Sequence, residues 1–135
     1  MRILLLLAAL SASLAACETF EDEPLVDGPV PAAQEIAVAL GQPVFVAPRL
    51  VATPMRVHED SRCPINARCV TAGRLILETR IDGPGWRETV YLTLGEPAWV
   101  REHWVTLVSA EPGQMAGQST APSAYRFAFQ ERGAL

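Results

Sequence analysis

The chain contains no lysine: all 11 basic residues among its 135 are arginine, set against 15 acidic residues, for a formal net charge of −4. No basic run offsets that balance, which argues against nucleic acid and against electrostatic adsorption to an anionic lipid surface. Histidine is scarce, with only His58 and His103. There is no Gly-x-Ser-x-Gly elbow, no EF-hand spacing and no internal repeat. Beyond residue 17 no capped 3.6-residue apolar stripe is found, so an amphipathic helix bundle is not expected. The one long apolar run stands at the start of the chain.

That start reads Met1-Arg2, then Ile-Leu-Leu-Leu-Leu-Ala-Ala-Leu over residues 3–10, small or apolar residues 11–16, and Cys17. One positive charge, an apolar stretch and a small-residue zone make a secretory signal over residues 1–16. A spanning helix is the competing reading. Residues 3–16 would rise only about 21 Å as a helix, against a hydrocarbon core of about 30 Å. Within this run, Leu14-Ala15-Ala16-Cys17 resembles the lipobox of bacterial lipoproteins. The resemblance implies cleavage before Cys17, a diacylglycerol thioether on its sulfur and acylation of the new amine. Two or more acyl chains give stable membrane attachment where one is marginal. Glu18, where inner-membrane retention in diderm bacteria usually uses aspartate, favours by the same resemblance an outer-membrane, periplasm-facing address. Loss of residues 1–16 takes Arg2 with it and lowers the formal charge from −4 to −5.

Three cysteines make an odd count for an exported chain. With Cys17 lipidated, Cys63 and Cys69 remain as a pair around Pro64-Ile65-Asn66-Ala67-Arg68. In an oxidising compartment a disulfide is the expected state, worth about 2 kcal/mol by loop entropy for so short a ring. A redox pair would favour the tighter Cys-x-x-Cys spacing, and zinc needs about four ligands.

Residues 17–34 read as a tether, with Glu18, Glu21, Asp22, Glu23 and Asp27 interspersed with Pro24, Pro29 and Pro31. From residue 35 to 135 the pattern is β. Ile36, Val38 and Leu40 alternate, then Val44 and Val46, then Val51, Thr53, Met55 and Val57 on one expected face. Pro54 in that run calls for an edge or a bulge. Leu75, Leu77, Thr79 and Ile81 alternate with Arg74, Glu78 and Arg80. After the turn signal Asp82-Gly83-Pro84-Gly85, Trp86, Val90, Leu92 and Leu94 form the next face. This predicts a hairpin over 74–94 with a four- to five-residue connection. Gly95-Glu96-Pro97 closes it, residues 103–110 form a further strand, 111–123 a long loop, and Tyr125, Phe127 and Phe129 the last strand. About seven short strands between Gly/Pro turns predict an all-β antiparallel sandwich or open barrel with one short disulfide loop.

Asp60-Ser61-Arg62-Cys63-Pro64, followed by Cys69-Val70 and Ala72-Gly73, resembles a motif of small exported bacterial proteins that carry "DSRCP", a short loop and "CVWAG" between two strands. The likeness extends loosely over residues 40–129 and implies an exported β fold with a disulfide loop, and no activity. Thr71 stands where that pattern usually has tryptophan, so no aromatic role for the loop is implied.

Several groupings invite chemistry. His58, Glu59, Asp60 and Ser61 are contiguous, but alternation on a strand sends Glu59 and Asp60 to opposite faces. They are read as a solvated strand end with Asp60 and Ser61 bonding the turn backbone, ahead of calcium through Glu59, Asp60 and Asn66. A hydrolase built on His58 or His103 has no supporting motif. The Cys63–Cys69 loop presents Arg62 and Arg68, and a rigid loop ending in an exposed arginine suits a protease inhibitor or a protein contact. Trp86 matches a core face, whereas Trp99 and Trp104 suit a sugar or peptide platform. The expectation is a lipid-anchored envelope protein without cofactor or metal, acting as a binding or accessory module for a protein or an envelope polymer rather than as an enzyme. Arg62, Arg68, Trp99 and Trp104 are its candidate contacts.

Overall fold

The computed structural model describes residues 36–133, so Cys17, the leader and the tether lie outside the described residues. The first sheet contains β1 (Val44–Ala47), β2 (Leu50–Asp60), β3 (Leu75–Gly83) and β4 (Trp86–Thr93), adjacent in that order. The second contains β5 (Pro97–Val100), β6 (His103–Glu111) and β7 (Arg126–Gly133), also in sequence order. All pairings are antiparallel. A 3-10 turn at Pro122–Ala124 leads into β7. The fold is all-β and seven-stranded as expected, its strands divided between two antiparallel sheets, and Cys63 and Cys69 form its disulfide loop.

The chain changes sheet once, between β4 and β5. There the Leu94 amide donates to Leu75 O (2.9 Å) and the Gly95 amide to Leu107 O (2.8 Å), tying the sheets through the crossing residues. Elsewhere Val38 and Phe127 exchange two backbone hydrogen bonds of 2.9 Å, where β1 lies against β7. Between the sheets, Leu50, Ala52, Leu75, Leu77, Ile81 and Leu92 meet Val100, Val105, Leu107, Ala110, Phe127 and Phe129. Removal of these side chains from water drives the association of the sheets.

Alternation holds where the ladder is regular and fails where it is not. Along β3 and β4 it is unbroken: Leu77 faces Leu92, Thr79 faces Val90 and Gly83 faces Trp86. A Cβ on Gly83 would overlap the Trp86 indole, so the glycine is the seat of that ring. The hairpin connection is two residues, Pro84-Gly85, shorter than expected. Asp82 and Gly83 continue the ladder opposite Arg87 and Trp86, and Gly85 (φ 72°) takes the left-handed position. Asp82 is fully buried, held by Arg80 at 3.3 Å and Arg87 at 2.5 Å.

The expected single face Val51, Thr53, Met55, Val57 is not formed. Register shifts lie between Pro54 and Arg56 and between Val57 and Glu59. Each extra residue reverses the phase of the pleat. The inward set is therefore Leu50, then Ala52, Pro54, Val57 and Asp60, the last four paired with Ile81, Thr79, Leu77 and Leu75. The second correction is at residues 36–40, which form only the single bridge at Val38 instead of a strand. The third is β5, a strand of four residues that replaces it in the total of seven.

Candidate functional site

The β5–β6 hairpin turns through Arg101 and Glu102, with Arg101 in the left-handed region at φ 58°. Alternation then sends Ala98, Val100, His103 and Val105 toward the core and Pro97, Trp99, Trp104 and Thr106 outward. Trp99 and Trp104 stand directly opposite each other, with ring centroids 5.0 Å apart and planes tilted by 56°. They stay 50% and 43% exposed, so each indole touches its neighbour and still presents about half its surface to water. Continuing across the sheet, Trp104 pairs with Arg132 of β7, and Thr106 with Gln130. Arg132 and Gln130 are exposed and make no side-chain hydrogen bond or ion pair among the described residues. The face thus carries a row Trp99–Trp104–Arg132 beside a row Pro97–Thr106–Gln130. Flat aromatic surface with nearby amide, hydroxyl and guanidinium groups is suited to stacking and hydrogen bonding with a ligand laid across the strands.

The disulfide loop is organised differently. The bulges that turn Asp60 inward leave its side chain 6% exposed. Arg62 grips it with two hydrogen bonds, Nε to Oδ1 and Nη2 to Oδ2, both 2.8 Å, and Tyr125 donates its hydroxyl to Oδ2 at 2.8 Å. Arg62 also donates to Ala110 O (2.8 Å) and Pro112 O (3.0 Å). Four of its guanidinium N–H groups are thereby engaged within the protein. Burial pushes the Asp60 carboxyl up, but the hydrogen bonds from Arg62 and Tyr125 and the guanidinium charge outweigh it and leave the carboxyl below its ordinary range. Burial and the bond to Asp60 raise the Tyr125 phenol. The expected solvated strand end is therefore a buried ion pair joining β2 to the loop before β7. The sequence missed it because its partner, Tyr125, is 65 residues away.

The remaining motif residues also have internal duties. Ser61 Oγ donates to Glu59 and accepts from the Arg74 amide at 3.1 Å, as a turn-bonding serine should. Hydrogen bonds from Ser61 and Arg74 hold the exposed Glu59 carboxyl below its ordinary value. Gly73 (φ 66°) sits where a Cβ would overlap Ser61 O. Asn66 Oδ1 accepts from the Ala116 amide (2.8 Å) and the Ile65 amide donates to Gln114 O (2.9 Å), seating the loop on residues 113–116. Glu59, Asp60 and Asn66 thus point to three different partners and share no site. What the loop leaves exposed is Arg68, with no partner among the described residues, together with Ile65 and Val70.

Compared with known proteins, the chain matches no family model, no curated protein and no solved structure.

The two histidines lie apart. His58 stacks edge-on against Tyr91 (centroids 5.1 Å) on the outer face of the first sheet. His103 meets Glu131 on the inner side of the second, Nδ1 to Oε1 2.8 Å. No hydroxyl or thiol side chain bonds to either among the described residues, and no three His, Cys, Asp or Glu side chains there are grouped to hold a metal ion. Trp86 packs against the core as expected, with the Arg101 guanidinium 5.3 Å from its ring centre.

Proposed function

We propose that this chain is a lipid-anchored binding module of the bacterial cell envelope that holds an envelope polymer on the outer face of β5–β7. The anchor reading rests on Leu14-Ala15-Ala16-Cys17 at the end of a secretory signal. The binding reading rests on one observation: Trp99 and Trp104 are in contact with each other yet about half exposed, beside polar groups with no internal partner. Two adjoining apolar rings left half in water on the outer face of a sheet mark a contact surface. The test is co-sedimentation of the purified full chain with insoluble envelope polymer. Wild type is expected in the pellet and Trp99→Ala/Trp104→Ala in the supernatant. Equal retention of both proteins, or of neither, refutes the reading. For the anchor, Cys17→Ser is expected to move the protein from the membrane fraction to the soluble one, and unchanged fractionation refutes it.

A second reading, a protein contact or protease inhibitor at the disulfide loop, is favoured by exposed Arg68 on a loop braced from behind by Asn66 and Arg62. It requires that wild type slow an arginine-directed protease and that Arg68→Ala restore the protease's rate.

A further inference from the structure

The arginines of this protein divide by what they face. Among the described residues, Arg56 pairs with Glu78, Arg62 with Asp60, Arg74 with Glu59, Arg80 and Arg87 with Asp82, and Arg101 with Glu88. Arg126 donates to the carbonyls of Ser123 and Tyr125. Only Arg49, Arg68 and Arg132 among them have neither acid nor carbonyl partner, and of these only Arg132 stands in a strand beside exposed aromatic rings. The two rows of the Trp face contain no acidic residue. Exposed Glu96 and Glu102 flank the face in the turns before β5 and before β6, and along the strands the outward acid is Glu111, paired in register with Arg126. Within the two rows themselves the one charged side chain is the Arg132 cation.

We infer that the polymer bound on this face is an acidic polysaccharide, whose sugar rings lie on Trp99 and Trp104 while Arg132 receives a carboxylate. This rests on the Trp-face reading above and adds the ligand's charge. Neighbouring strands are about 4.8 Å apart, so the row Trp99–Trp104–Arg132 spans about 10 Å. A ligand crossing the strands meets the rings first and the guanidinium next. The planar fork of arginine matches a carboxylate with two parallel N–H bonds. Gln130 and Thr106 offer hydrogen bonds to hydroxyl groups alongside. A lipid surface fits less well, because the face has no further exposed apolar residue than Pro97 beside the two rings to enter an acyl layer.

The experiment measures binding of the full chain in detergent to alginate, to carboxyl-reduced alginate, to polyphosphate and to phosphatidylglycerol vesicles. Wild type is expected to bind alginate best, with affinity falling as salt is raised. Carboxyl reduction and Arg132→Gln are each expected to weaken binding on the order of tenfold or more, as loss of a charge-assisted pair does. Arg132→Lys, which keeps the charge and loses the fork, should fall between wild type and Arg132→Gln, and the unfolding midpoint of each variant confirms its fold. Trp99→Ala/Trp104→Ala should lose both alginates. If both alginates bind equally, or Arg132→Gln changes nothing while the Trp variant still loses both, the carboxylate inference fails and the Trp-face reading survives. Preference for polyphosphate overturns the inference as well. Binding to vesicles only, no binding to either alginate, or a Trp-dependent self-association that occupies the face overturns it too.

Discussion

The disulfide loop and the outer face of β5–β7 both display arginine near groups suited to recognition, and they differ in where those groups direct their bonds. In the loop, Arg62, Asp60, Ser61 and Asn66 each bond to another part of the same chain. On the Trp face, Arg132 and Gln130 have no internal partner among the described residues, and two indoles remain half in water. A polar or aromatic group whose valences are met inside stabilises the fold; one whose valences are open is available to a ligand. The DSRCP motif is thus understood as architecture. It closes a ring, fixes a buried ion pair and seats a glycine where no side chain fits.

The comparison breaks most visibly at Asp60. Asp60→Ala removes the partner of a nearly buried guanidinium and should lower unfolding free energy by about 3 kcal/mol or more, read from urea denaturation. Tyr125→Phe, which deletes one hydrogen bond to the same carboxylate, should cost about 1 kcal/mol. The ion pair also sets a pH dependence. The folded Asp60 carboxyl lies below its unfolded value near 4, so its contribution is complete above about pH 4 and is lost as pH falls through the lower folded value. In Asp60→Ala that part of the acid transition should be missing. A wild-type acid limb identical to the variant's would mean that the ion pair is not formed.

Next in size is the ring itself. Cys63→Ser/Cys69→Ser should lower the unfolding free energy by about 2 kcal/mol and leave the β-sheet circular dichroism intact, because the constraint acts mainly on the unfolded chain. Smaller still is the Trp face. Trp99→Ala or Trp104→Ala should lower stability by about 1 kcal/mol, the scale of a cross-strand aromatic pair, while polymer retention is lost. A loss of several kcal/mol would move the pair into the structural class and erase the contrast. The smallest effect belongs to Arg68→Ala, which should leave the unfolding free energy within about 0.5 kcal/mol of wild type.

Legibility along the chain followed the regularity of the ladder. The β3–β4 hairpin, the aromatic face Tyr125, Phe127 and Phe129, the disulfide and the core position of Trp86 could all be read from period-2 patterning and cysteine spacing. The phase of β2 could not, because bulges after Pro54 and Val57 each insert a residue that no local pattern reports. β5 escaped notice for its brevity, with two inward residues, Ala98 and Val100, between a proline and a turn. Of the candidate site, the two tryptophans were legible as residue types. Their partner Arg132 was not, since it joins them only through the β6–β7 register.

Sequence alone determined that these residues would form about seven short antiparallel strands, and that Cys63 and Cys69 were placed to pair. Both follow from spacing along one chain, where alternation and loop length act locally. Tertiary structure alone decided which arginine is buried and which is open to a ligand. That depends on register and on bulges, which set what lies across the neighbouring strand, and a carboxylate or an indole there changes the meaning of the same side chain.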